Sequence, residues 1–116
     1  MPVVQDYIKY TKKWKKEYGE KTLVLMQVGS FFEVYGLRET DGSISGSNIS
    51  DFSQLCDMLI AKKSQKVDGK QVLMAGFGVS QIEKYIKKLQ ESGYTIAIYT
   101  QDMQAKNTTR SLEEII

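Results

Sequence analysis

"KTLVLMQVGSFFEVYGL", Lys21–Leu37, is the stretch on which the fold turns. It is rich in β-branched and aromatic residues and predicts strand. Gly29 and Ser30 are placed to bend or bulge the run and divide it into two strands. One alternate set is Val24, Met26, Val28, Phe32 and Val34, apolar apart from Ser30, and is expected to face the core. The other is Leu23, Leu25, Gln27, Gly29, Phe31, Glu33 and Tyr35, which begins apolar and turns mixed. Because successive strand residues point to opposite faces, Phe31 and Phe32 cannot both be core. Phe31 and Glu33 are expected to share a face with Gln27.

Upstream, Val4, Tyr7, Ile8, Thr11, Trp14 and Tyr18 fall on one stripe at helical spacing, with lysines on the remaining positions and Gly19 as the stop. Downstream, Asp41-Gly42 is a hairpin signal that predicts a short return strand near Ser43–Gly46. "SDFSQLCDMLI" predicts a second helix, capped by Asn48 or Ser50, with Phe52, Leu55, Cys56 and Leu59 as its buried stripe. Around residues 58–63 the pattern passes towards an extended segment. Asp68-Gly69 is a second hairpin signal, and "KQVLMAGFG" predicts a strand. In "SQIEKYIKKLQESG", Ser80 and Glu83 have capping-box spacing and Ile82, Tyr85, Ile86 and Leu89 form a stripe ending at Gly93. "YTIAIYTQ" predicts a buried strand. "NTTRSLEEII" is open between strand and helix. The expectation is an α/β domain with a mixed β-sheet of about five or six strands and about three helices.

With 116 residues, the chain suits one domain with one core. No apolar run approaches the roughly 18 to 20 residues of a membrane span, so no membrane partner is expected. No secretory signal is visible and Cys56 is the single cysteine, which favours an intracellular setting without naming a compartment: bacterial cytoplasm, viral factory, nucleus and mitochondrion all stay open. There is no histidine, which removes zinc–histidine sites, Ser-His-Asp triads and Cys-His pairs. Binding is therefore expected rather than catalysis. Net charge is only +2 but uneven, with six lysines in residues 1–21 and Lys62, Lys63, Lys66 and Lys70 clustered later. Such patches meet phosphate or simply face water.

Gly76-x-Gly78 before a helix invites a phosphate-binding reading. The glycine fingerprint is incomplete and the phosphate-loop lysine is missing, so a tight strand-to-helix turn is the preferred reading. The Phe31–Glu33 pair is the stronger lead. An exposed aromatic can stack on or wedge between bases, with stacking of roughly 1–3 kcal/mol per base. A carboxylate near a polyanion helps only by hydrogen bonding to a base edge. On alternation alone, burial of Phe31 beneath a helix beside an ordinary solvent-facing Glu33 is the simpler alternative.

"GEKTLVLMQVGSFFEVYG" resembles the opening of the N-terminal mismatch-recognition domain of the DNA mismatch-repair MutS family, which carries Phe, an aromatic, then Glu on a strand. "LMAGFGVSQIEKYIKKLQESGYTIAIYTQ" supplies a second match, at Met74, Ala75, Gly76, Glu83, Tyr85, Leu89, Gly93, Ala97, Ile98 and Gln101. Arg110, Leu112 and Ile115 fit the family's next strand. Leu73, Gly78, Ser80 and Thr100 depart from the family pattern and suggest a divergent branch, such as that of giant viruses and octocoral mitochondria.

The resemblance implies that Phe31 is the wedge beside a mispaired base, that Glu33 hydrogen bonds to that base, and that Lys63 contacts the DNA backbone. It implies DNA-binding sites at Phe31, Glu33 and Lys63 in residues 1–116 of a longer protein, with mismatched or small-looped double-stranded DNA as ligand. The remaining domains and a dimer partner are implied as further partners. ATP and Mg are implied for the full-length protein and no cofactor for this segment, which is not itself an enzyme. Two rivals stand beside this reading. One is a structural or protein-interaction module that keeps the fold. The other is a nuclease-like enzyme, against which the lack of histidine and of clustered carboxylates argues.

Overall fold

The decisive stretch folds back on itself. In the computed structural model, which describes residues 2–101 and 110–116, strand β1 (Thr22–Val28) and strand β2 (Phe31–Arg38) form an antiparallel hairpin with Val28 opposite Phe31. Gly29 and Ser30 are its two-residue loop. Gly29 has φ 61° and Ser30 does not share the positive φ, which is the pattern of a type II′ turn with glycine at its first central position. The bend expected at these residues is thus a complete reversal.

That reversal corrects the expected faces. Residues directly opposite in a hairpin share a face. Met26 lies opposite Glu33 and Gln27 opposite Phe32, so Val24, Met26 and Val28 join Phe31, Glu33 and Tyr35, while Leu23, Leu25 and Gln27 join Phe32 and Val34. A two-residue loop shifts the odd–even count by one, so the alternation inverts across it. Gln27 does not share a face with Phe31 and Glu33. Leu23, Val24, Leu25 and Met26 are all buried, because β1 is covered on both sides.

Five further strands complete the sheet: β3 (Ile44–Ser45), β4 (Ala61–Val67), β5 (Lys70–Gly78), β6 (Thr95–Gln101) and β7 (Arg110–Ile115). The order is β4-β5-β2-β1-β6-β7, with β3 paired on β2, and among the described residues only the β1–β6 pair is parallel. The α/β class and mixed sheet agree with expectation, with seven strands among the described residues rather than five or six. The return strand after Asp41-Gly42 and the turn at Asp68-Gly69 are both present, the latter with φ 52° and 77°. The ambiguous tail is strand from Arg110 onward, and Asn107–Thr109 lie outside the described residues.

Helix α1 (Pro2–Tyr18) covers one face. Tyr7 donates from its hydroxyl to the Val24 carbonyl at 2.8 Å and meets the Tyr35 ring edge-on at 5.5 Å. Tyr10 stacks on Tyr99 at 4.2 Å, and Trp14 Nε1 donates to the Tyr99 hydroxyl at 2.9 Å. Tyr18 ends the stripe half-exposed rather than in the core, since the helix runs past the sheet and stops at Gly19 (φ 101°).

Helices α2 (Ile49–Cys56) and α3 (Ile82–Glu91) cover the other face. Phe77 there meets Phe32 at 6.0 Å, Phe52 at 6.3 Å and Tyr85 at 4.6 Å. Gly36 permits the close approach of α2, since a Cβ there would come within 2.6 Å of Ile49 Cγ2.

Three local expectations fail for identifiable reasons. Asn48 sits at the α2 N-cap, but its side chain donates to the Glu20 carbonyl and accepts from Lys15, so neither it nor Ser50 supplies the cap; Ser47 Oγ accepts the Ile49 N–H instead. Leu59 is not in the α2 stripe. Asp57 adopts a left-handed φ of 54° and ends the helix, leaving Leu59 94% exposed. The Ser80–Glu83 capping box does not form, because Val79–Gln81 take a 3-10 turn and α3 begins at Ile82 without a side-chain cap. Cys56 is a buried core residue, its thiol pushed up by burial.

Candidate nucleic-acid interface

Phe31 and Glu33 stand at the start of β2, where the face covered by α1 runs out. Phe31 is 54% exposed while Phe32 is 5% exposed. The period-2 pleat turns the second ring into the Phe52–Phe77 cluster and leaves the first in water. Glu33 is half-buried. With Leu59, Ala61, Met74, Ala75 and Gly76, the two residues line a shallow depression of about 320 Å³.

The floor of that depression depends on Gly76. It lies within β5, opposite Glu33, and a Cβ there would sit 2.5 Å from the Phe32 carbonyl and 3.3 Å from Glu33 Cα. The Gly76-x-Gly78 glycines therefore do not both serve a strand-to-helix turn. Gly76 allows β2 and β5 to pair tightly under the Glu33 side chain.

The hairpin loop that carries Phe31 is braced from outside. The Gly29 N–H donates to Gln101 Oε1 at 2.8 Å, the Gln101 N–H donates to Gln27 Oε1 at 2.9 Å, and Gln27 Nε2 donates to the Gly29 carbonyl at 3.0 Å. Val79 N–H donates to the Ser30 carbonyl at 2.9 Å. Arg110 Nε donates to the Gln27 carbonyl at 2.6 Å. These bonds pair the Gly29 N–H and both loop carbonyls and tie the loop to Val79 just after β5, to β6 and to its own strand.

Glu33 is held as well. The Tyr35 hydroxyl donates to Glu33 Oε1. Burial, then the adjoining carboxylate, push the Tyr35 phenol well above its ordinary value, while the Arg110 charge acts in the opposite sense. The phenol is therefore a firm donor at neutral pH. Gln27, Tyr35, Gln101 and Arg110 are site residues that sequence reasoning did not single out for this role. The signal for the glutamines is a polar residue at or next to the end of each of two apolar strands.

Lys63 is half-buried in β4, two residues beyond Ala61, or about 7 Å along the strand. It does not line the depression, so the structure brings Phe31 and Glu33 together and leaves Lys63 outside their cavity. A larger depression of about 520 Å³ lies at the far end of β2, between α1 and the β4–β5 turn. It is lined by Lys9, Lys12 and Lys70 but holds no exposed aromatic, and Lys70 is engaged with Glu39 at 3.2 Å.

The arrangement offers a flat apolar ring on a braced turn and, two residues away, a carboxylate with one oxygen already bonded. It can stack on a planar partner and accept one further N–H. Among the described residues no group of acids or cysteines gathers to hold a metal, and no helix is long and apolar enough to cross a membrane.

Two relatives are similar to this chain over most of its length. A DNA mismatch repair protein MutS homologue of Acanthamoeba polyphaga mimivirus is 29% identical over 108 residues, covering 90% of this chain and 9% of the relative. The DNA mismatch repair protein MutS of Fusobacterium nucleatum is 29% identical over 108 residues, covering 93% of this chain and 10% of the relative. The chain thus spans about a tenth of the length of these curated relatives. The family model for MutS domain I matches residues 2–116, and the chain belongs to that family.

Proposed function

We propose that this MutS-type mismatch-repair domain recognises mispaired or small-looped duplex DNA, with Phe31 as a wedge and Glu33 as the acceptor for a base N–H. The observation that carries the reading is the Phe31 ring standing in water beside a tethered carboxylate, on a turn braced by Gln27 and Gln101. Inserting an apolar ring between base steps costs a few kcal/mol per unstacked step. A sound pair resists that deformation and a mispair yields, so discrimination needs no reading of sequence. The carboxylate repels phosphate and is compensated only where a base presents a donor. Lys63, outside the cavity, would meet the backbone rather than a base.

The MutS-like protein that carries this domain would supply the remaining domains, a dimer partner, and the sites for ATP and Mg. The residues described here do not fit such a site: the sequence has no phosphate-loop lysine motif.

The test is mismatch binding by the full-length protein. Phe31→Ala is expected to bring mismatch affinity down to the homoduplex level, a loss of about tenfold or more by the stacking scale. Glu33→Ala is expected mainly to raise homoduplex binding and erode the ratio. An unchanged mismatch-to-homoduplex ratio in Phe31→Ala would remove the wedge and leave the domain as a structural or protein-interaction module.

A further inference from the structure

We infer that Tyr35 is a positioning residue for Glu33: its hydroxyl fixes Oε1 and so presents Oε2 as the single acceptor for a base N–H. This rests on the wedge reading above. Four observations carry it. Tyr35 and Glu33 are two apart on one strand and share a face, so the hydroxyl reaches the carboxylate without bending the backbone. The Tyr35 ring is buried and seated edge-on against Tyr7 at 5.5 Å, and Tyr7 is itself bonded to the Val24 carbonyl, so the donor is anchored in the core rather than on the surface. Among the described residues, nothing donates to Oε2. The Glu33 stem passes close over Gly76, where an added Cβ would come within 3.3 Å of Glu33 Cα and 3.4 Å of Cγ.

A glutamate side chain loses much rotamer freedom when it is ordered. An untethered Glu33 would bear that cost on meeting DNA, and would also swing away from the polyanion. Tyr35 orders it in the free domain. The hydroxyl bonds to a charged acceptor, the stronger kind of hydrogen bond. A base that presents an N–H at its exposed edge, such as a displaced pyrimidine or purine imino or amino group, then finds one oxygen already aimed. A sound, stacked pair does not bring such a group within reach.

The test uses the full-length protein and compares affinity for a mismatched and a fully paired duplex of the same length. The variants are Phe31→Ala, Glu33→Ala, Tyr35→Phe, and Glu33→Ala with Tyr35→Phe. Tyr35→Phe is expected to lower the mismatch-to-homoduplex ratio several-fold, up to about tenfold, the order of one immobilised side chain. In the Glu33→Ala background the same change is expected to lower it no further. A ratio unchanged by Tyr35→Phe, with Phe31→Ala still lowering it, overturns the positioning role and leaves the wedge intact. An equal fall with and without the Glu33 carboxylate also overturns it, since Tyr35 would then act through the fold. A ratio unchanged by Phe31→Ala overturns the wedge and the inference with it.

Discussion

The two sides of the sheet are sealed with different aromatics. Under α2 and α3 the contacts centre on phenylalanines, Phe32, Phe52 and Phe77, with Tyr85 and Tyr94 at the rim. Under α1 they are tyrosines and a tryptophan: Tyr7, Tyr10, Tyr35, Tyr99 and Trp14. The first side holds mainly by dispersion and exclusion of water, with one hydroxyl bond at its rim, from Tyr94 to Asp51. The second adds hydroxyl bonds to a backbone carbonyl, to an indole and to Glu33. A side with polar handles can extend from core to surface without leaving an unpaired group, and the candidate site emerges on the side richer in them. The phenylalanine side is scaffold and the tyrosine side is scaffold that continues into a binding surface.

The largest effect expected from this contrast is on stability. Phe32→Ala, on the scaffold side, should cost about 3–5 kcal/mol in chemical denaturation. Phe31→Ala, its chain neighbour on the other face, should stay within about 0.5 kcal/mol of the parent. Equal losses would end the division of labour between the two rings. Next is Gly76→Ala. The added methyl meets the Phe32 carbonyl rather than a movable side chain, so a loss of about 1–3 kcal/mol is expected, again by denaturation.

The smallest effect is absent at neutral pH and appears in alkali. Tyr7, Tyr35 and Tyr99 hold their protons more tightly in the folded chain than their ordinary value near 10. Their contribution is complete below about pH 10, where the unfolded phenols ionise, and is lost as pH rises through the higher folded values. Tyr35→Phe should therefore make the fall in stability above pH 10 less steep, while Phe32→Leu leaves that slope unchanged. Urea midpoints measured between pH 8 and 11 would show it.

Much of this was legible in the residues. The pleat alone separates Phe31 from Phe32, and the hairpin signals at Asp41-Gly42 and Asp68-Gly69 name their turns. The misses share a cause: a local period was carried through a point where the backbone leaves it. Alternation does not run through Gly29-Ser30, whose two-residue reversal shifts the count and moves Gln27 to the other face. The helical stripe was continued past Cys56, although Asp57 turns left-handed and sends Leu59 outward. Ser80 and Glu83 have the right spacing for a cap that a 3-10 turn pre-empts. The bracing of the site was hidden for a different reason. Gln27 and Gln101 are 74 positions apart and meet only because β1 and β6 run parallel, which no local pattern encodes.

That last pairing has a consequence for synthesis. The loop bearing Phe31 leaves the ribosome before its brace, since the side chain that accepts its Gly29 N–H belongs to Gln101, 72 positions later. Until then the loop holds only the bonds that Gln27 and Val79 make to it. The probe acquires its full bracing only when the sixth strand has emerged and docked beside the first, so a nascent chain cut short before that strand would own every residue of the tip and only part of its rigidity.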